Sequence, residues 1–158
     1  QEAWKKKFKQ QLQQRTSITI DLSLKESLMG SSAIEGDLIA FALRSEKPIH
    51  LLLLDVDSHG SLNVLYPYLP HELKPIPANQ TRYIPGEKPP LLIRVQAPFG
   101  IDHLIAIGFA EEPKFLKQFV GKESLTLQSD LYKKLQHSLK NATYGFNELD
   151  LLTVAKQP

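Results

Sequence analysis

The sequence predicts a mainly β fold: an antiparallel immunoglobulin-like β-sandwich of about seven strands, with an N-terminal helix and with a C-terminal helix followed by a short strand. Two features indicate this class. Short segments with the apolar patterning of strands recur along the chain, and turn-forming residues separate them about every 8–15 residues. The chain has 158 residues, and about 100–200 residues usually form one domain with one core.

The clearest strand patterns lie in the first half of the chain. Residues 17–24 alternate strictly between polar and apolar, which predicts a strand with one buried face. A second strand is predicted over 37–44. A third is predicted over 49–56, where a nearly continuous apolar run suits a strand buried on both faces. Residues 57–60 then form a turn into a strand over 61–66.

Prolines between residues 67 and 90 predict a region that is mostly loop, because proline cannot donate a hydrogen bond to a sheet. One short strand is predicted within it, at 81–84. Two more follow at 91–96 and 103–109, joined by a turn over 97–100.

Helical patterning dominates the last third of the chain. A helical turn or two is predicted over 113–120. Ser129 is a predicted N-cap, and the helix that it begins places Leu131, Leu135 and Leu139 on one face and stops near Asn141. A last strand is predicted over 148–154.

We expect three parts: residues 1–15 as a basic amphipathic linker helix, 16–113 as the β-sandwich domain, and 114–158 as a C-terminal helical extension with a final strand packed on the sandwich. The first part interleaves lysines with apolar residues at helical spacing, so it is either a linker that packs on a neighbouring domain or a helix that lies on an anionic membrane. Its candidate membrane- or partner-contacting residues are Trp4, Lys5, Lys6, Phe8 and Lys9.

The composition excludes several classes of function. The chain has no cysteine, which rules out disulfides, cysteine-based zinc sites and a thiol nucleophile. Its 19 basic and 17 acidic residues give a formal net charge of +2, too balanced for the strongly basic face of a nucleic-acid binder. The sequence lacks a glycine-rich nucleotide loop, so we predict no cofactor.

The strongest candidate for chemistry is the turn after the third strand. Asp55 and Asp57 lie two apart, so they share one face of a strand and, with His59, could hold a metal. The calcium-loop template fails, because it needs a glutamate where Tyr66 stands. We favour the simpler interpretation, a polar turn in which Asp57 and Ser58 cap their own backbone. No metal ligand is therefore assigned.

Nucleophilic catalysis finds no support in the sequence. Asp102 and His103 are adjacent, so a strand would direct their side chains to opposite faces, which argues against a dyad. No Gly-x-Ser-x-Gly elbow is present. We therefore assign no catalytic residue and expect that the chain is not an enzyme.

A group of aromatic residues around the proline-rich loop suggests a binding surface, since tyrosine is enriched where proteins recognise partners. Prolines would stiffen this surface and reduce the entropy lost on docking. The alternative is that Tyr66 and Tyr83 plug the end of the sandwich beneath the loop. The candidate partner-binding residues are Tyr66, Tyr68, His71 and Tyr83.

Turn and strand residues in the middle of the chain occur in a characteristic order: Gly36-Asp37, Leu51 to Asp57, Gly60, Leu65-Tyr66-Pro67, Ile84-Pro85, Ala97 to Gly100 and Ile105-Ala106-Ile107. Over about residues 34–113 this order resembles a bacterial domain family of unknown function, a small β-sandwich module often appended to caspase-like peptidase or signalling domains. His50 and Tyr68 depart from the residues common in that family. The resemblance implies an accessory module of a bacterial protein, in the cytoplasm or in the envelope or periplasm, and it assigns no catalytic residue.

These observations predict a non-catalytic binding or scaffolding module of a larger bacterial protein or assembly, which docks a protein partner or an adjacent domain of the same polypeptide. One alternative is a peripheral membrane or envelope module that uses the basic N-terminal helix. The other is a metal-dependent hydrolase centred on Asp55, Asp57 and His59.

Overall fold

A computed structural model describes residues 2–25, 32–86, 92–126 and 128–158, without the side chains of residues 2–5. Strands make up 40% of the chain and helices 19%, which confirms the mainly β class. The helices are α1 (Glu2–Arg15) and α2 (Asp130–Ser138). The strands are β1 (Ile20–Leu24), β2 (Ser32–Ile34), β3 (Leu38–Ile39), β4 (Phe41–Ser45), β5 (His50–Val56), β6 (Leu62–Tyr66), β7 (Arg82–Ile84), β8 (Ile93–Arg94), β9 (Gly100–Phe109) and β10 (Tyr144–Val154).

The strands form three sheets. The largest has five strands in the order β2-β10-β9-β5-β6, and it is antiparallel except for the pair β2 and β10, which is parallel. A small sheet has the order β1-β4-β7, and β3 pairs with β8. Two short 3-10 helices lie at Pro70–Leu73 and Leu116–Phe119.

The large sheet is buried on both faces, as the apolar run of β5 predicts. Leu52 and Leu54 of that strand lie in a core shared with the helices, whereas Leu51 and Leu53 lie in a second core shared with the small sheet. The result is three layers, with the helices on one face of the large sheet and the small sheet on the other.

Helix α1 belongs to the helix layer through its own apolar face. Phe8 is 1% exposed and its ring centroid lies 5.6 Å from that of Tyr132 on α2, while Leu12 is fully buried. The side-chain amide of Gln11 also donates to the backbone carbonyl of Gln136 (2.7 Å). The two helices therefore cover each other and the sheet. No helix in the described ranges is long and apolar enough to cross a membrane.

The strand boundaries differ from the prediction at several places; β9, for example, begins at Gly100, inside the turn predicted over 97–100. The described residues form ten strands, and the sequence predicts eight when the last one over 148–154 is included; one extra strand arises because residues 37–44 are divided at Ala40 into β3 and β4, which belong to different sheets. Strand β2 was not predicted, and β10 begins at Tyr144, four residues before the predicted start at residue 148. The predicted start of a strand at residue 91 lies outside the described residues.

The N-cap of α2 is confirmed. The hydroxyl of Ser129 accepts a hydrogen bond from the backbone N–H of Tyr132 (3.2 Å) and donates to the carbonyl of Thr126 (2.7 Å). We expect Ser129→Ala to lower the free energy of unfolding by about 1 kcal/mol, the usual value of such a cap. Urea denaturation measures this change, and Ser129→Asp, which can still accept from the helix, is expected to recover most of it. Equal losses in both variants would contradict a capping role.

Candidate functional site

A cleft of about 440 Å³ opens on the small-sheet face of the large sheet. Residues of β5, β6, β9 and β10 line it together with residues of β3 and β8. Its lining includes the carboxyl groups of Asp55, Asp57 and Asp102, and its exposed apolar residues are Tyr68 and Leu92. The sequence prediction that Asp55 and Asp57 share a face therefore agrees with their common place in this cleft.

The sheet register explains how the carboxyl groups meet. Asp55 on β5 lies opposite Asn63 on β6 and opposite Leu104 on β9. Asp102 precedes Leu104 by two residues, so the period of the strand places it on the same face as Asp55. The two carboxyl groups share a side-chain hydrogen bond.

The Asp55–Asp102 pair holds a proton at neutral pH. The pKa of Asp55 is raised to about 9 by burial, which is the largest cause, together with the hydrogen bond to Asp102 and the negative charges of Asp102 and Asp57. Two carboxylates in contact away from water cannot both be ionised, so one proton is shared between them. The pair therefore carries one negative charge in place of two, and its proton is engaged between the two carboxyl groups.

Proton-sharing carboxyl pairs serve some hydrolases as acid and base. In this chain the Oδ1 atom of Asp55 is enclosed and has no hydrogen-bond partner within the described ranges. A general base needs to lie within hydrogen-bond reach of a reacting group or a water. The pair joins β5 and β9 by a hydrogen bond across the large sheet.

Asp57 is committed to the turn that follows β5. Its Oδ1 accepts hydrogen bonds from the backbone N–H groups of His59 and Ser61, both at 3.0 Å, and the side-chain amide of Asn63 donates to its Oδ2 (3.5 Å). These contacts confirm the favoured interpretation for Asp57. Ser58 differs from that interpretation, because its hydroxyl donates to the carbonyl of Phe99 (2.9 Å) rather than to its own turn.

The alternative of a metal centre at Asp55, Asp57 and His59 does not match this geometry. His59 is exposed at the turn, whereas one oxygen of Asp57 already accepts two backbone hydrogen bonds. In the part of the chain that the structure describes, no three histidine, aspartate or glutamate side chains are grouped to hold a metal ion.

Asp102 and His103 lie on opposite faces of β9, as predicted from their adjacency. Asp102 faces the cleft, while Nδ1 of His103 lies 2.7 Å from Oδ1 of Asp150 on β10, directly opposite it in the register. The adjacency of Asp102 and His103 in the sequence gives no sign of the pairing between Asp102 and Asp55.

The four predicted partner-binding residues do not form one surface. Tyr66 is 1% exposed, and its hydroxyl accepts a hydrogen bond from a guanidinium N–H of Arg82 (3.1 Å), so its predicted place at a contact surface is wrong. Its ring fills the core between the two sheets, which is the alternative that the sequence left open. Tyr83 does not plug the core, since it is 45% exposed with the ammonium of Lys25 4.8 Å from its ring centroid. Tyr68 lies at the cleft, and His71 is exposed in the first 3-10 helix.

The candidate contact residues of α1 are also divided. Phe8 is buried in the core, so it is not available at the surface where the sequence analysis places it. Lys9 forms an ion pair with Glu148 on β10 (2.9 Å), and Lys6 is exposed. The side chains of Trp4 and Lys5 lie outside the described residues.

A family model matches residues 33–111, a range of 79 residues and half of the chain. The matched range contains strands β3 to β9 and all three cleft aspartates, while α1, α2 and β10 lie beyond it. No curated protein matches the chain. The chain belongs to the family described as "Domain of unknown function (DUF4384)".

Proposed function

We propose that the chain is a non-catalytic binding module of a larger bacterial protein or assembly, and that the cleft is where it docks a protein partner or a neighbouring domain. One observation carries this proposal: exposed apolar side chains lie beside enclosed hydrogen-bonding groups in a single concave site. Tyr68 is 40% exposed and Leu92 is 65% exposed, and both line the cleft that holds the Asp55–Asp102 pair.

The chemistry of the cleft suits a peptide segment. Apolar contact at Tyr68 and Leu92 would supply affinity, as aromatic and aliphatic anchors do in protein interfaces. The carboxyl pair would supply direction, because its oxygen atoms can accept hydrogen bonds from the N–H groups of a bound segment. Sharing one proton leaves the pair with one negative charge in place of two, which lowers the cost of covering it. The volume of about 440 Å³ falls within the usual range for ligand clefts, about 300–1,000 Å³.

The edge of the cleft near Tyr68 is fixed in place by the chain itself. Oε1 of Glu72 accepts hydrogen bonds from the backbone N–H groups of Tyr68 (2.7 Å) and Leu69 (3.1 Å), which anchors the segment that precedes the first 3-10 helix. A rigid contact surface loses less conformational entropy on binding. This supports docking at Tyr68 in preference to a mobile loop.

The two exposed tyrosines permit a matched test by photo-crosslinking in the parent protein. The substitution Tyr68→p-benzoylphenylalanine is expected to give one crosslinked product, identified by mass spectrometry, whereas the same substitution at Tyr83 is expected to give none. Leu92→Glu should reduce the crosslinking yield at position 68 at least about tenfold, because a carboxylate covered by an apolar partner loses its hydration.

The proposal requires all three results together. Equal products from positions 68 and 83 would indicate random encounter and would overturn it. A product from position 68 that survives Leu92→Glu would also overturn docking in the cleft.

The membrane alternative has less support. Helix α1 buries Phe8 and Leu12 within the chain's own core, so its apolar face is not available for insertion between lipids.

A further inference from the structure

A second concave surface lies in the helix layer, on the face of the large sheet opposite the cleft. We name it the basic groove; it has a volume of about 650 Å³ and lies between residues 114–118 and α2. Its charged lining residues are Lys114, Lys133, Lys134, His137 and Asp130, and Phe115 contributes to its floor.

Packing holds the two walls of the basic groove in place. Tyr132 and Leu135 of α2 are buried in the core, which directs the neighbouring Lys133 and Lys134 towards solvent. The ring of Phe115 is 8% exposed and contacts the rings of Phe109 and Phe119, with centroid distances of 6.4 Å and 5.6 Å.

The basic groove carries a concentrated positive charge. Three lysines and one aspartate give its lining a formal charge of 3 − 1 = +2 with His137 neutral, which equals the formal net charge of the whole chain. Across the described residues, no salt bridge neutralises Lys114, Lys133 or Lys134. The ammonium of Lys134 instead has a long contact with the side-chain carbonyl of Gln118 (3.4 Å), across the groove.

We propose that the basic groove binds an acidic peptide segment of a protein partner. Charge complementarity selects an anionic ligand, since Lys114 lies on one wall of the groove and Lys133 and Lys134 lie on the other. A flat anionic membrane would contact the rims of this concave surface, and it would reach Phe115 at the floor less readily. The groove is separate from the cleft and does not depend on the function proposed for it.

A titration with hexaglutamate peptide at low ionic strength, about 20 mM, tests this proposal on the full chain, because screening is weak there. In NMR spectra of the ¹⁵N-labelled protein, we expect amide shifts over residues 114–118 and 130–138. The variant Lys133→Gln with Lys134→Gln is expected to weaken the affinity about tenfold, as removal of two charges about 6 Å from an anion would do in water. Glutamine keeps a good helix propensity, so the fold of α2 should persist.

The matched control is Lys47→Gln with Lys74→Gln, two exposed lysines that do not line the basic groove. It removes the same net charge and should change the affinity less than about twofold. Equal weakening by both variants would show attraction to net charge alone and would overturn the proposal. Shifts confined to α1, or binding to phosphatidylglycerol vesicles without binding to the peptide, would overturn it in favour of a membrane contact.

Discussion

The substitution Gly145→Ala is expected to lower the free energy of unfolding by about 3 kcal/mol, the upper part of the usual range for an overpacked core. Gly145 lies on β10 opposite Gly108 on β9, where the chain before β1 crosses the large sheet. An added Cβ would overlap the carbonyl oxygen of Ile18 and would lie 2.7 Å from its carbonyl carbon. A methyl group therefore does not fit unless the segment that contains Ile18 moves away from β10.

The crossing segment has little freedom to move away. Ile18 is 4% exposed, and the N–H of Ser17 donates to the carbonyl of Tyr144 (2.8 Å), which ties the segment to β10 one residue before Gly145. Because the obstacle is backbone and not the end of a side chain, rotamer changes cannot relieve it.

Urea denaturation of Gly145→Ala and Gly86→Ala measures the effect against a control. A Cβ at Gly86 would meet none of the described residues within 4 Å, so Gly86→Ala should change the free energy of unfolding by no more than about 1 kcal/mol. Similar values for the two variants would show that β10 can shift away from Ile18 and that the close approach is not a constraint on the fold.

Local sequence patterns predicted those strands and helices in which the spacing of apolar residues corresponds to the faces that are buried. Strand β5 shows this most directly, because its continuous apolar run corresponds to burial on both faces of the large sheet. Helix α2 was predicted from Ser129 and from its leucine spacing, and its cap and buried face both agree. In these elements, short-range signals are sufficient.

The elements that were missed depend on contacts distant in the sequence. Strand β2 has only three residues and exists through its parallel pairing with the end of β10. The first half of β10 contains Gly145, Asn147 and Glu148, which weaken a strand pattern read locally. Glycine is required there by the approach of Ile18, and the side-chain amide of Asn147 donates to the carbonyl of Ile20 (2.7 Å).

The candidate site was predicted only in part, because one of its contacts also joins residues that are distant in the sequence. Asp55 and Asp57 share a face by the period of one strand, which the sequence shows directly. The contact with Asp102 depends on the register between β5 and β9, and no local pattern sets that register. Tyr66 and Tyr68 differ in burial although they are neighbours around one proline, because only Tyr66 follows the inward face of β6.

The proton held by the Asp55–Asp102 pair makes a second large effect predictable. The pKa of Asp55 is 3.8 in the unfolded chain and about 9 in the folded chain. Between these two pH values, the folded state therefore holds a proton that the unfolded state has released. The free energy of unfolding therefore falls as the pH rises through this window, by about 1.4 kcal/mol per pH unit for one proton. The contribution of the pair is fully present below pH 3.8 and is lost as the pH approaches 9.

The variant Asp55→Asn removes this dependence, because its amide can donate to Asp102 at every pH while its side chain no longer titrates. Between pH 5 and pH 7, we expect the free energy of unfolding of the wild type to fall by about 2.7 kcal/mol more than that of the variant. Urea denaturation at each pH measures both proteins. Asp21→Asn, an exposed carboxylate on β1 outside the cleft, is the control and should keep the wild-type slope. Parallel profiles for Asp55→Asn and the wild type would mean that no proton is shared across β5 and β9. The Asp55–Asp102 pair would then present two charged carboxylates, and a partner that supplies a cation would fit it better than a segment that offers only neutral N–H groups.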